Sequence, residues 1–270
     1  MIITFIGGGN MAKALISGML RKGFAADSIR VVDISDENRR QIMQEYNIKT
    51  FTDLAPAIEG SDIVILAVKP QQLHEVASQL APSLKEQLVI SIAAGIRSND
   101  LSRWLGGFSL VVRVMPNTPA MVMHGVSGMY ALPSVSAEQK QKAEGILQAV
   151  GSTLWVEDEH HMDTITAISG SGPAYVFYFI EALEEAAIQL GLDAKQARQL
   201  SLETFFGASL LASKSDEDIA TLRARVTSKG GTTERALHTM EAATVKRHII
   251  EAIQSAAERS RELGDELGKK

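Results

Sequence analysis

Two glycine-rich runs stand directly in front of helix-like patterns, GGGNMA at Gly7–Ala12 and SKGGTTE at Ser228–Glu234. Backbone without Cβ atoms at a helix start is suited to anion capture, because amide N–H groups converge there and the helix dipole adds a favourable field. The first run fits the dinucleotide fingerprint G-x-G-x-x-A through Gly7, Gly9 and Ala12. That pattern asks for a tight turn at the first glycine, bare backbone where a pyrophosphate approaches, and a small residue where helix meets strand. In the second run Gly230 and Gly231 bring amides close to a ligand, and Thr232 and Thr233 add hydroxyls in the first helical turn. Such a loop suits a compact anion, above all a small carboxylate. Each run taken alone also has a plainer reading, a βα turn or a well-capped helix start that binds nothing. Taken together they point to an oxidoreductase whose substrate carries a carboxylate.

Other residues fall where a dinucleotide would meet them. Asp33 lies 24 residues beyond Gly9, at the end of the second predicted strand, where an acid accepts from ribose hydroxyls and favours NAD. Ser35, Arg39 and Arg40 follow, and these are groups that hold the extra phosphate of NADP, so the preference stays open. Ligands of such sheets bind outside the carboxyl ends of the strands. Three more strand ends carry small residues and turn formers: Ala67-Val68-Lys69-Pro70, Ala93-Ala94-Gly95, and Met115-Pro116-Asn117-Thr118-Pro119. The prolines around Asn117 make a stiff loop able to hold polar groups against a nicotinamide ring. The run SGSGP, Ser169–Pro173, could serve as a third anion loop, yet Ser171 before Pro173 is well explained as an N-cap followed by an early helical proline. His160 and His161 are adjacent and would not share a helix face, so no metal site is expected.

The elements that must position these residues change character along the chain. Ile2–Ile6, Ile29–Val32, Ile63–Val68, Leu88–Ile92 and Leu110–Val114 read as strands, with amphipathic stretches between them at Met11–Lys22, Asn38–Tyr46 and Gln71–Leu80. This alternation predicts an α/β fold, a Rossmann-type parallel sheet covered on both faces, over residues 1–157. Residues 158–270 read as all-helical, with patterns over Pro173–Leu190, Asp193–Ser213, Asp216–Val226, Thr232–Met240 and Ala243–Leu263. The helix PAYVFYFIEALEEAAIQL is apolar around more of its circumference than a surface helix of a monomer, so part of it is expected to pack against another chain. The terminal ELGDELGKK is expected to be a frayed, solvated end.

Composition narrows the classes. At 270 residues, 45% hydrophobic and 22% charged, the chain has the makeup of a globular protein with a large core. A net charge of −5 argues against nucleic-acid binding, so an anionic ligand must be caught locally. The absence of cysteine rules out disulfides, thiolate metal sites and a cysteine nucleophile. No signal peptide or spanning run of about 18 apolar residues is expected, which makes the cytoplasm the default location.

The segment VTSKGGTTERALHTME, together with FIGGGNMA, LAVKP, SIAAGI, RVMPNTPA and ISGSGPAYVFYFIEAL, resembles the pyrroline-5-carboxylate reductase family, and the likeness is spread over essentially the whole chain. The resemblance implies reduction of 1-pyrroline-5-carboxylate to L-proline by NADPH or NADH, the last step of proline synthesis. It implies a homodimer through the C-terminal helices, which in the family can assemble further into rings such as a decamer. It assigns the substrate to Ser228, Gly230, Gly231, Thr232 and Thr233, with backbone amides on the carboxylate and the Thr233 hydroxyl, the one catalytic assignment, on the ring nitrogen. Ile6, Gly7, Gly8, Gly9, Asn10 and Met11 would hold the pyrophosphate, Lys69 and Pro70 the adenosine side, and Ala93, Ala94, Gly95 and Asn117 the nicotinamide region. Lys229 stands where many members have proline, which bears on the stiffness of the loop. Two rivals share part of the layout. A β-hydroxyacid dehydrogenase needs a lysine on its long interdomain helix, and no lysine occurs between Met162 and Ala194. A redox sensor that only binds the nucleotide would leave the second glycine loop without a purpose.

Overall fold

The computed structural model describes residues 1–269. Short apolar segments become the strands β1 (Ile3–Ile6), β2 (Ile29–Val32), β3 (Lys49–Phe51), β4 (Ile63–Leu66), β5 (Leu88–Ser91), β6 (Val111–Met115), β7 (Gly125–Ala131) and β8 (Gly151–Trp155) of one sheet. Its order is β3-β2-β1-β4-β5-β6-β7-β8. Neighbouring strands pair in parallel except that β7 runs antiparallel to β6. Chain order reverses between β1 and β4, which makes their carboxyl ends the topological switch point where ligands of such sheets bind.

Helices α1 (Asn10–Arg21), α2 (Asp36–Tyr46), α3 (Leu54–Ile58), α4 (Pro70–Leu80), α5 (Ser98–Trp104) and α6 (Ala137–Leu147) connect the strands. Alternation along the strands sends side chains to opposite faces, and the core divides accordingly. Ile3, Phe5, Ile63 and Ile65 pack with Leu15, Ile16 and Met19 of α1. Ile6, Val64 and Leu66 pack with Leu73, Ala77 and Leu80 of α4. Both faces of the sheet are therefore dry, as parallel sheets require.

Three strands lie outside the sequence expectation. β3 is only three residues long, and β7 and β8 carry glycines within GVSGMYA and GSTLW. Helices α3, α5 and α6 were likewise not expected; α6 is closed by a capping box in which Ser136 and Gln139 exchange hydrogen bonds.

The rest of the chain is helical: α7 (His161–Ile165), a π turn (Thr166–Gly170), α8 (Gly172–Gln189), α9 (Ala194–Ser213), α10 (Ile219–Arg225), α11 (Thr232–Ala242) and α12 (Val245–Gly268). Ser171 has helical backbone angles and its N–H donates to the Thr166 carbonyl at 2.8 Å, so it closes the π turn instead of capping α8 from outside. The N-cap reading of Ser171 is corrected by this geometry: a cap needs extended φ and ψ, which Ser171 does not have.

Internal contacts divide the chain into two compact units, Gly172–Ser255 and the remainder, in which Ala256 onward joins residues 1–171. Residues 158–171, which the sequence assigns to the helical half, pack with the sheet. The Glu159 carboxylate accepts from the Ser98 N–H (2.7 Å), the Ser98 hydroxyl (3.0 Å) and the Arg113 guanidinium (2.9 Å), and Met162 is fully buried. Burial, and after it the charges of Glu159 and Asp158, holds the Tyr130 phenol above its usual range. The end of α12 is not frayed as expected. Leu267 packs against the apolar cluster that contains Ile96, Leu101 and Trp104, and burial of that face stabilises the last turns.

Within the unit Gly172–Ser255 almost nothing is buried. α8, α10 and α11 have no buried residue, and α9 has only Ala197 and Ser201. Phe177 is 65% exposed, Tyr178 70% and Phe206 69%.

Candidate functional site

A crevice of about 450 Å³ opens at the switch point. It is lined by Ile6, Gly7, Gly8 and Gly9 after β1, Asp33 after β2, and Ala67, Val68 and Lys69 after β4. The glycines are there for separate reasons. Gly7 has φ +97°, and a Cβ on it would stand 2.7 Å from the Ala67 carbonyl oxygen. A Cβ on Gly8 would stand 2.5 Å from Ile42 Cδ1. Gly9 is different: an added Cβ meets nothing within 4 Å, and no described side chain caps α1. The amides of the first turn of α1, which have no intrahelical acceptor, therefore meet open space at the crevice, a cradle that fits a diphosphate.

Asp33 is placed where the sequence put it, and much of its hydrogen-bonding capacity serves the loop. Its Oδ2 accepts from the Gly8 N–H (2.8 Å) and from Asn38 Nδ2 (2.7 Å), and its Oδ1 accepts from the Ser35 N–H (2.8 Å). Asn38 also donates to the Gly8 carbonyl at 2.9 Å, so this side chain, which sequence reasoning missed, ties the glycine loop to α2. Ser35 caps α2, its hydroxyl oxygen accepting from the Asn38 N–H at 3.2 Å. Arg39 donates to the Asp33 carbonyl (2.6 Å) and to Asp36 (3.1 Å), and Arg40 pairs with Asp36. Neither arginine lines the crevice.

Asn10, Met11, Ser35 and Pro70 sit at the heads of α1, α2 and α4, next to the crevice lining. Thr52 and Leu54, beyond the missed strand β3, and Gln72 and Glu75 on α4 complete its walls. Ala93, Ala94 and Gly95 follow β5 and form no part of this lining; Ala93 is buried, Ala94 is exposed, and Gly95 has φ +75°. Asn117 is only 8% exposed, and its polar atoms are turned to the protein. Its Nδ2 donates to the Ser169 carbonyl and hydroxyl, both at 3.2 Å, and its Oδ1 accepts from the Val126 N–H at 2.9 Å. It braces the π turn against β7.

The second loop joins α10 to α11 in the helical unit. Gly230 has φ +75°, with open space where a Cβ would be. The Gly231 N–H closes a turn onto the Ser228 carbonyl at 3.0 Å, and Gly231 caps α11 with no side-chain hydrogen bond. Ser228 Oγ lies 2.7 Å from the position of a Cβ on Gly231, so only glycine fits there without a shift. Thr232 and Thr233 open α11, where first-turn amides have no intrahelical acceptor. A carboxylate is already seated at this loop: Glu234 Oε2 accepts from the Gly230 N–H at 2.7 Å. No cluster of potential metal ligands occurs among the described residues.

Residues 159–263 match the family described as pyrroline-5-carboxylate reductase dimerisation, and residues 2–95 match the family described as NADP oxidoreductase, coenzyme F420-dependent. A pyrroline-5-carboxylate reductase of Pseudomonas aeruginosa is 45% identical over 268 residues, covering 99% of this chain and 98% of the relative. The chain belongs to the pyrroline-5-carboxylate reductase family. Among solved structures, a pyrroline-5-carboxylate reductase of Coxiella burnetii matches with a TM-score of 0.91 at 40% identity, covering 97% of each chain. A Plasmodium falciparum pyrroline carboxylate reductase with NADP bound matches with a TM-score of 0.87 at 29% identity, covering 97% of this chain and 98% of that one. The family likeness spans both glycine loops, as the match over 99% of the chain requires.

Proposed function

We propose that this chain reduces 1-pyrroline-5-carboxylate to L-proline with NADPH or NADH. The observation that carries the reading is the pairing of an uncapped helix start over the switch-point crevice with a second, exposed glycine loop in the helical unit. Gly7–Gly9 and the head of α1 would hold the pyrophosphate, and Asp33 and Lys69 would flank the adenosine end. Bound reduced nicotinamide supplies the hydride. The amides of Gly230, Gly231, Thr232 and Thr233 would take the substrate carboxylate and so fix which face of the ring is presented. The Thr233 hydroxyl would meet the ring nitrogen. A protonated imine already carries the charge that reduction quenches, so orientation and electrostatics are the protein's contribution, and no strong side-chain acid is required.

Mixing the purified protein with 1-pyrroline-5-carboxylate and following NADPH and NADH absorbance separately tests this. Rapid oxidation with proline formed is expected; nucleotide bound without oxidation would favour the redox-sensor reading.

The same reading assigns the exposed apolar face of the helical unit to a second copy of the chain. Side chains such as Phe177, Tyr178 and Phe206 have no cover within this chain. Large apolar side chains exposed in this way are the kind of surface that marks a protein–protein interface. A homodimer through these helices, and a decamer built from such dimers, are the assemblies to separate by sedimentation; a monomer at micromolar concentration would remove both. No helix among the described residues is long and apolar enough to cross a membrane, and we place the enzyme in the cytoplasm.

A further inference from the structure

The last turns of α12 return to the sheet unit and lie along the loop that follows β5. Arg97 pairs with Asp265 at 2.7 Å and donates to the Arg261 carbonyl at 3.3 Å. Arg103 donates to the Gly268 carbonyl. Gly264 is buried where a Cβ would stand 3.2 Å from Arg97 Nε and 3.3 Å from the Gly95 carbonyl oxygen. Leu263 lies 3.5 Å from the position of a Cβ on Gly95, and Leu267 packs into the apolar cluster beside Ile96. On the far side, the Ser260 hydroxyl bonds Asp163 at 2.7 Å.

The loop held in this way has little to hold itself. Ala93, Ala94 and Gly95 have no side chain beyond a methyl group, and Gly95 adopts a left-handed conformation. Within the loop the Ala93 N–H has the Ser91 hydroxyl at 3.4 Å, a long hydrogen bond. A backbone of this kind keeps one geometry only when the surroundings impose it.

We infer that residues 260–268 act as a clasp that fixes the Ala93–Arg97 loop, and that Leu263, Gly264, Asp265 and Leu267 are thereby positioning residues for the nicotinamide half of the cofactor. This rests on the reading above, in which the loop faces the nicotinamide. The adenosine half sits in the crevice between β1 and β4, whose lining includes none of these residues. The two halves of one ligand are thus governed by different parts of the chain, and the clasp reaches residues 164 and 165 positions before it in the chain.

The test compares NADH with ADP-ribose, which lacks the nicotinamide, by calorimetric titration of the full-length protein. In Gly264→Val the added side chain pushes on Arg97 and the Gly95 carbonyl. NADH affinity is expected to fall about tenfold, the size of a lost good contact set, while ADP-ribose affinity stays within about twofold. Leu267→Ala, a milder change, should give the same pattern at smaller amplitude and keeps the test open should Gly264→Val fail to fold. Equal loss for both ligands, or no loss for either, overturns the clasp. Wild-type protein that binds ADP-ribose as tightly as NADH overturns the nicotinamide assignment of the loop instead, and wild-type protein that binds neither overturns the cofactor crevice itself.

Discussion

At Gly7 and Gly8 an added Cβ would collide with Ala67 and Ile42, whereas at Gly230 it would meet nothing within 4 Å. The first glycine loop is enclosed by the sheet it follows. Val32 accepts from the Gly7 N–H, Asp33 from the Gly8 N–H, and Asn38 donates to the Gly8 carbonyl. The second loop stands on an exposed helical unit, held by one turn and by the Glu234 carboxylate. The enclosed loop is preorganised at permanent cost in backbone freedom, while the exposed loop stays open with an internal carboxylate on its Gly230 amide. Preorganisation of this kind is legible as internal hydrogen bonds that persist without the ligand.

The contrast within the first loop can be broken most sharply at Gly9. Gly9→Val meets no protein atom, so the melting transition should stay close to wild type while nucleotide affinity drops about 100-fold or more, because the side chain fills the space a pyrophosphate needs. Gly7→Ala should behave in the opposite way, losing about 1–3 kcal/mol or more in denaturant titration from strain at φ +97° and collision with Ala67. Comparable destabilisation in both variants would remove the division between a structural and a ligand-facing glycine.

The contrast between the loops is sharpened by Thr233→Ala. Its kcat/KM for the imine should fall about tenfold, the worth of a hydrogen bond to a charged group, with NADH affinity unchanged in titration. Equal loss of substrate use and cofactor binding would end the separation of roles. A smaller effect is expected of Glu234→Gln, which removes the resident carboxylate charge from the Gly230 amide; KM for the substrate should drop about two- to fivefold, and a rise in KM would mean that Glu234 supports the loop more than it competes there. Least of all, NADPH should gain nothing over NADH, because Arg39 and Arg40 are committed to Asp36 and do not line the crevice; an NADPH affinity more than about tenfold tighter would show that they swing free.

The Rossmann half was legible because its strands are continuous β-branched runs and its first loop carries a spaced fingerprint between a strand and a helix. β3 escaped because three residues carry no periodicity, and β7 and β8 because glycines that serve close approach in a sheet break up the strand pattern. Gly151 is such a case, with its backbone against Gly125 of the neighbouring strand. The positions of both glycine loops followed from residue types, but not the partners of Asp33 and Asn117. Their side chains were read as ligand-facing, and only the fold reveals that Gly8, Ser35, Asn38, Ser169 and Val126 satisfy them first. The run ELGDELGKK was misjudged because charged residues dominate it; Leu263 and Leu267, four apart on one helix face, are what dock it.

Because Ala256 onward belongs with residues 1–171 while Gly172–Ser255 forms a unit of its own, the sheet unit is interrupted in the order of synthesis. A ribosome adding about 5–20 residues per second spends several seconds on the intervening helices before the end of α12 emerges. All eight strands are already made by then, and the sheet must wait for its final helix. A stop codon placed just before Ser260 would therefore deliver a chain with β1–β8 and both glycine loops translated, yet without the segment that docks on the loop after β5.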